Sequence, residues 1–170
     1  MHFDPQTIRT HYASPLGSMI LAATEQGLAG AWFTNQRHLP DWQSWQRSDQ
    51  HPHLRQAQEQ LAQYFSYPWR TGAAHAFDLP LDLRSGSPFQ QQVWRALLGI
   101  PLGQTRSYGA LAAQLGLAGG ARAVGTAVGR NPISIIVPCH RVLGAGGALT
   151  GYAGGLERKI ALLQLESTPP

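Results

Sequence analysis

Residues 107–129 have the sequence SYGALAAQLGLAGGARAVGTAVG. Ser107 is suited to cap a helix that we predict from Tyr108 to about Leu115. A glycine-containing turn at residues 116–120 then leads into a second helix, from Ala121 to about Gly129. Two helices joined by a short turn with glycine are typical of a helix-turn-helix unit. This stretch therefore predicts a helix-turn-helix unit.

Small side chains dominate the second helix of this unit. They are Ala121, Ala123, Gly125, Thr126 and Ala127. Such a helix lets its backbone approach another surface closely, and Arg122 is its one long cationic side chain. The free N–H groups at a helix start suit a phosphate. Contact with DNA and tight helix packing both explain this composition, and at this point both interpretations stay open.

The charge of the chain is unevenly distributed. Residues 1–84 contain six Lys/Arg and seven Asp/Glu, whereas residues 85–170 contain seven Lys/Arg and two Asp/Glu. A basic half beside a nearly neutral half favours an anionic partner for the C-terminal half. A solvated basic surface without a partner is the alternative.

Upstream of residue 107 the sequence predicts one more helix and then a boundary. Ser87 followed by Pro88 is typical of an N-cap with proline at the first helical position, and this helix ends near Gly99. We place the domain boundary just before it, which gives an N-terminal domain of residues 1–84 and a C-terminal domain of residues 85–170.

The N-terminal domain has the pattern of a small antiparallel sheet with one helix. Residues 7–33 alternate strands with turn signals, and residues 54–65 have apolar positions at helical spacing. Residues 67–68 end this helix. Residues 76–81 can form an edge strand, since Pro80 limits its pairing.

Downstream, residues 133–137 form an apolar, strand-like run, and residues 157–165 form a closing helix. The fold class is therefore α+β: a small N-terminal sheet-and-helix domain followed by an all-helical C-terminal domain.

A single cysteine limits the possible chemistry. Cys139 cannot form an internal disulfide or a multi-cysteine zinc site. A histidine-only metal site from His51, His53 and His75 is not expected. The chain shows neither a signal peptide nor an apolar run long enough for a membrane, so we expect a cytoplasmic protein.

Cys139 is followed directly by His140 and Arg141. A thiol attacks carbon as its thiolate, and neighbouring cationic or hydrogen-bonding groups lower its pKa. The dipeptide alone also fits a structural buried thiol. The longer pattern decides between the two readings.

That pattern resembles the O6-alkylguanine-DNA alkyltransferases, also called methylated-DNA–protein-cysteine methyltransferases. The matching runs are Asn131-Pro132, PCHRV at 138–142, GYAGG at 151–155, Arg158-Lys159 and Leu162-Leu163, with further matches at Phe89 to Trp94, Ser107-Tyr108 and Arg122 to Gly125. The resemblance implies a ribonuclease H-like N-terminal domain and a C-terminal domain with a winged-helix-like helix-turn-helix. It also implies irreversible, once-only transfer of an alkyl group to the protein.

The resemblance implies a role for each site residue. Cys139 is the alkyl acceptor, His140 is the base that acts on it through a water, and Glu166 orients His140. Asn131 holds the cysteine backbone, and Tyr108 donates to the departing guanine.

The partner implied is double-stranded DNA carrying O6-alkylguanine, with O4-alkylthymine left open, bound through the minor groove and largely without regard to sequence. Because a stacked base cannot reach a buried thiol, the nucleotide must be flipped out. Arg122 fills the gap in the stack, and Ala121, Gly125, Thr126 and Tyr108 lie against the DNA. The base pocket comprises Val142, Tyr152, Ala153 and Gly154. No cofactor or metal is implied. A monomer is expected, and cooperative binding to DNA is left open.

Two departures from the family pattern raise further expectations. Ala153 stands where some relatives carry serine, which leaves only a backbone contact there. The loop at residues 144–147 is unusually rich in glycine, and our hypothesis is that it forms a mobile pocket rim that tolerates alkyl groups larger than methyl. Three alternative functions leave a feature of the sequence unexplained. A non-enzymatic protein that binds alkylated DNA would lack the cysteine, which is present here. A thiol hydrolase does not explain the helix-turn-helix, and a helix-turn-helix regulator does not explain the PCHR run.

Overall fold

The N-terminal half is a four-stranded sheet covered by one helix. In this computed structural model, which describes residues 1–66 and 77–167, three antiparallel strands follow one another and a short fourth strand pairs parallel to the first. The strands are β1 (Ile8–Ser14), β2 (Gly17–Thr24), β3 (Gly27–Phe33) and β4 (Gln46–Arg47), in the order β3-β2-β1-β4. The strands predicted within residues 7–33 are confirmed.

Strands β2 and β3 are buried on both faces, whereas β1 is mostly half-buried or exposed and β4 is exposed. Alternate side chains of β2 and β3 point toward helix α1 (Pro52–Ser66) on one face. On the other face Ile20, Ala22 and Trp32 pack with Trp45. The helix buries Tyr64 where the apolar spacing favoured Phe65, which is only half-buried. Its predicted end at residues 67–68 lies outside the described residues.

The edge strand predicted at residues 76–81 is wrong for the part that the structure describes. Residues 77–81 form a single parallel bridge between Leu81 and Leu28. The Leu28 amide donates to Pro80 O at 2.8 Å, and the Asp82 amide donates to Leu28 O at 2.8 Å. Pro80 has no N–H to donate, so the pairing does not extend.

The C-terminal half is mainly helical. Helix α2 (Pro88–Leu98) begins with a capping box between Ser87 and Gln90. Three further helices follow: α3 (Tyr108–Gln114), α4 (Ala121–Gly129) and α5 (Leu156–Ser167). Two-residue strands β5 (Arg106–Ser107) and β6 (Val142–Leu143) form a small parallel pair, an addition to the all-helical prediction.

The helix-turn-helix prediction is matched by α3 and α4. Ser107 Oγ accepts a hydrogen bond from the Ala110 amide at 3.0 Å, as expected of an N-cap. In the turn, Gly116 and Gly119 both have φ of +72°, a left-handed conformation that favours glycine. None of the helices within the described ranges is both long and apolar enough to span a bilayer.

One hydrophobic core joins the two halves of the chain. It includes Leu21 and Phe33 from the sheet, Leu61 from α1, and Trp94 from α2. The indole N–H of Trp94 donates to Ala127 O at 2.8 Å, which ties α2 to α4. The core therefore extends from the sheet into the helices of the C-terminal half.

The strand-like run 133–137 is a buried turn and not a strand. Only Ile133 bridges to the sheet, at Ala31, and Ile135 has φ of +74°, which is strained for a β-branched residue. The Ser134 amide donates to Ala31 O at 2.8 Å. A turn satisfies these backbone groups because the side chain of Asn131 supplies the missing partners.

Candidate active site

Asn131 holds the turn that precedes the cysteine. Its Nδ2 lies 2.8 Å from Val137 O, 3.2 Å from Ile133 O and 3.0 Å from Cys139 Sγ. Its Oδ1 accepts from the Ile133 amide at 3.0 Å. One buried amide therefore closes the turn and donates to the thiol sulfur.

Cys139 begins a single 3₁₀ turn, Cys139–Arg141, directly after Pro138. Only 5% of Cys139 is exposed. Burial raises the pKa of the Cys139 thiol to about 11, although the hydrogen bond from Asn131 and the charge of Lys159 act in the opposite direction. The resting group at neutral pH is therefore a protonated thiol, and attack on carbon needs a base.

His140 is fully buried beside the cysteine and bonds to a carboxylate. Its Nε2 lies 2.8 Å from Glu166 Oε1. Burial lowers the pKa of His140, against the hydrogen bond to Glu166, which raises it. At neutral pH the ring is uncharged. Because Glu166 can only accept, Nε2 carries the proton and Nδ1 holds the free lone pair.

Glu166 is the centre of a buried hydrogen-bond cluster. Arg141 donates through Nε to Oε2 at 2.8 Å and through Nη2 to Oε1 at 2.9 Å. Its Nη1 donates to Ile100 O at 2.6 Å, and Tyr64 donates its hydroxyl to Glu166 Oε1 at 2.7 Å. Burial would raise the pKa of Glu166, but hydrogen bonds from His140 and Arg141 outweigh it and hold the pKa at about 2. The carboxylate is therefore ionised at neutral pH.

The second ring nitrogen of the histidine is available for proton transfer. His140 Nδ1 is buried and makes no hydrogen bond with the residues that the structure describes. A neutral imidazole with Nε2–H fixed on a carboxylate presents its other nitrogen as a base. The geometry is thus compatible with the predicted proton relay from Cys139 through His140 to Glu166. The roles of the three residues remain predictions.

Lys159 fixes the segment that follows the cysteine turn. Its Nζ donates to Val142 O at 2.6 Å and to Thr150 O at 2.9 Å, and the side chain is fully buried. Burial lowers the pKa of Lys159. Lys159 on α5 therefore positions Val142, which is one of the residues predicted to form the base pocket.

The other predicted base-pocket residues, Tyr152, Ala153 and Gly154, line a cavity of about 920 Å³, together with Leu16 and Arg37 among others. The Arg37 amide donates to Ala153 O at 2.9 Å. Val142 is not among the lining residues, so the structure brings three of the four together.

The predicted DNA-contact residues share one groove of about 630 Å³ on the helix-turn-helix. Its lining comprises Ser107, Tyr108, Gly109, Ala121, Arg122, Gly125, Thr126 and Ala145. Tyr108 packs on α4, since a Cβ built at Gly125 would lie 3.6 Å from its ring. Ala145 comes from the glycine-rich loop, which therefore adjoins this groove. All five residues predicted to contact DNA lie together.

Three residues of the network were missed in the sequence. Arg141 is adjacent to His140 in the sequence. A basic side chain next to a buried motif needs an acidic partner, and that requirement could have indicated its contact with Glu166. Lys159 appears in the sequence analysis only within a matching run, and no role is predicted for its side chain. Tyr64 gave no signal, because it lies 102 positions from Glu166.

Two family models match the chain. The ribonuclease-like domain of 6-O-methylguanine DNA methyltransferase matches residues 7–83, and the DNA-binding domain of 6-O-methylguanine DNA methyltransferase matches residues 88–168. The chain belongs to the 6-O-methylguanine DNA methyltransferase family. The family predicted from PCHRV and GYAGG is confirmed.

Individual relatives agree over nearly the whole length. The methylated-DNA–protein-cysteine methyltransferase of Mycolicibacterium paratuberculosis is 50% identical over 153 residues, which is 90% of this chain and 88% of that protein. The crystal structure of Mycobacterium tuberculosis O6-methylguanine methyltransferase has a TM-score of 0.82 at 46% identity, covering 95% of this chain and 93% of that one. The M. tuberculosis protein in complex with DNA has a TM-score of 0.79 at 46% identity, covering 95% and 92%. The α+β fold class is confirmed, and this family member carries the family's DNA-binding domain.

Proposed function

We propose that this family member repairs DNA by direct damage reversal, moving the alkyl group of O6-alkylguanine onto the sulfur of Cys139. The observation that carries the proposal is the buried thiol held by Asn131 beside a neutral His140 on an ionised Glu166. In the reaction the bond between the alkyl carbon and O6 breaks and a carbon–sulfur bond forms. The transfer balances without an added cofactor, because the lesion brings its own alkyl group.

The thiol proton leaves through the histidine. A water bridges Cys139 Sγ and His140 Nδ1, and His140 accepts the proton while Glu166 stabilises the imidazolium that forms. Guanine takes a proton as it leaves, and Tyr108 supplies that proton or hydrogen bond. The thioether cannot be reversed by this chemistry, so each molecule acts once.

DNA binds at the groove on the helix-turn-helix. Arg122 enters the stack from the minor groove and replaces the flipped nucleotide, as intercalating side chains do elsewhere. The small residues Ala121, Gly125 and Thr126 let α4 lie close to the backbone. Contacts of this kind carry little sequence information, which suits a protein that must inspect every site.

The flipped base occupies a pocket formed by Val142, Tyr152, Ala153 and Gly154. The fixed Val142 carbonyl and the Ala153 backbone hydrogen-bond the base, and Tyr152 forms a wall. The loop at residues 144–147 forms the rim and sets tolerance for larger alkyl groups.

Each half of the chain has its own task. Residues 1–84 form a supporting domain, and residues 85–170 form the domain that binds DNA and accepts the alkyl group. The protein works as a monomer in the cytoplasm.

The decisive experiment uses duplex DNA with a labelled methyl group on O6 of guanine. After incubation, intact-mass and peptide measurements should find one methyl group per molecule, on Cys139. Cys139→Ser should bind the same duplex and take up no label. Label that stays on the DNA, or turnover beyond one methyl per protein, refutes the proposal. The second outcome would favour a thiol hydrolase.

A further inference from the structure

A tyrosine of the N-terminal half contacts the carboxylate of the relay. Tyr64 lies on α1, is fully buried, and donates its hydroxyl to Glu166 Oε1 at 2.7 Å. The same oxygen lies 2.8 Å from His140 Nε2 and 2.9 Å from Arg141 Nη2. Among the residues that the structure describes, three donors therefore converge on one oxygen atom, and only Tyr64 comes from the N-terminal half.

We propose that Tyr64 is a positioning residue of the alkyl-transfer site, which holds Glu166 Oε1 against His140 and limits how strongly that oxygen attracts the histidine proton. This inference rests on the proposed function and deepens it. Arg141 already fixes the carboxylate through both of its oxygens. What Tyr64 adds is a neutral donor that competes with His140 for the same lone pairs.

The competition has a definite sign. A carboxylate oxygen shared among three donors stabilises an imidazolium less than one shared between two. The Tyr64 hydroxyl therefore lowers the pKa of His140, in the same direction as burial. Its loss should raise that pKa, so that less neutral imidazole remains to accept the thiol proton in mildly acidic solution.

The other titratable and charged groups around the histidine stay in place when this hydroxyl is removed. They are Cys139 and Arg141 on its own turn, and Lys159 and Glu166 on α5. The ring of Tyr64 packs against Phe65, with centroids 5.1 Å apart, and against Phe77, with centroids 5.6 Å apart. Tyr64→Phe keeps these ring contacts and removes only the hydroxyl.

The test compares Tyr64→Phe with the full-length wild type in single-turnover transfer from an O6-methylguanine duplex between pH 5 and pH 9. The acid limb of the rate profile should move to higher pH by about half a unit to one unit, so that transfer below the limb slows about 3- to 10-fold. Above the limb the rate should stay within about twofold, and duplex affinity should not change. Tyr12→Phe, which removes a half-buried hydroxyl from β1, is the matched control and should reproduce the wild-type profile.

A double variant tests whether the hydroxyl acts through the carboxylate. Adding Tyr64→Phe to Glu166→Gln should change the transfer rate less than about twofold, because the shared partner has gone. A Tyr64→Phe profile that superimposes on the wild type overturns the inference. So does an equal loss at every pH accompanied by fewer active molecules, since that is the signature of a purely structural residue.

A measurement on the wild type covers the case in which Tyr64→Phe does not fold. The proton NMR signal of the Tyr64 hydroxyl, assigned by selective tyrosine labelling, should exchange slowly and shift as His140 titrates. A signal that is indifferent to this titration overturns the inference. If the wild type itself takes no methyl label, the proposed function fails; if it takes label but these outcomes are negative, only the role of Tyr64 fails.

Discussion

Replacing Asn131 should destabilise the fold and the site together. The two hydrogens of the Asn131 Nδ2 group have three acceptors, at 2.8, 3.0 and 3.2 Å, and Oδ1 accepts one bond at 3.0 Å. Asn131→Ala therefore removes two donated hydrogen bonds and one accepted hydrogen bond. At about 1 kcal/mol for each lost bond, with a further penalty where a carbonyl stays buried without a donor, we expect a loss of about 3–4 kcal/mol. That is a large part of the total of about 5–15 kcal/mol typical of folded proteins.

Urea unfolding followed by tryptophan fluorescence measures this loss. Asn35→Ala, at the only other asparagine and in an exposed position, is the control and should change the free energy of unfolding by less than about 0.5 kcal/mol. Asn131→Asp separates hydrogen bonding from packing. It keeps the shape but turns a second oxygen toward the carbonyls of Ile133 and Val137, so it should be at least as damaging as Asn131→Ala. An Asn131→Asp protein with wild-type stability and transfer rate would refute the reasoning.

Three further outcomes follow from the same structure. Glu166→Gln should slow methyl transfer by about 10²-fold or more while duplex binding persists, because the imidazolium loses its carboxylate. Glu59→Gln, at an exposed carboxylate on α1, is the control and should transfer normally. Asp82→Asn should lower the free energy of unfolding at pH 7 by about 1–2 kcal/mol, because hydrogen bonds from the exposed Arg84 hold the pKa of Asp82 at about 2. Because folding lowers the pKa of Asp82, the difference in the free energy of unfolding between the wild type and Asp82→Asn should be complete above pH 4. It should vanish as the pH falls to about 2, and urea titrations at several pH values measure it. Arg122→Ala should slow transfer from a duplex but not from the free base O6-benzylguanine, which needs no flipping; equal slowing with both substrates would contradict its role.

Local signals in the sequence were sufficient for the helices of the C-terminal half. Ser87 and Ser107 cap α2 and α3 through their own side chains, so a few neighbouring residues determine where each helix begins. The run 133–137 was misread because its apolar composition predicts burial and not backbone conformation. Its backbone partners come from Asn131 and from β3, and neither is visible in the run itself.

The site was predictable to the extent that its residues are adjacent in sequence. Cys139 and His140 are neighbours, and a resemblance supplied Glu166 and Asn131. Tyr64 could not be predicted, since one tyrosine at a helical spacing is equally consistent with core packing. Its contact depends on how two halves of the chain dock, which is a property of the tertiary structure alone.

The high pKa of the Cys139 thiol is suited to a reagent that is used once. Burial raises the pKa of Cys139 to about 11 and lowers the pKa of His140, so moving the thiol proton to the imidazole is unfavourable in the resting protein. A standing thiolate would be open to oxidation, whereas a protonated, buried thiol is protected. Thiolates of higher pKa are also intrinsically stronger nucleophiles. Deprotonation should therefore accompany alkyl transfer and not precede it, and Cys139 should react slowly with iodoacetamide at a pH where a flipped O6-methylguanine reacts fast.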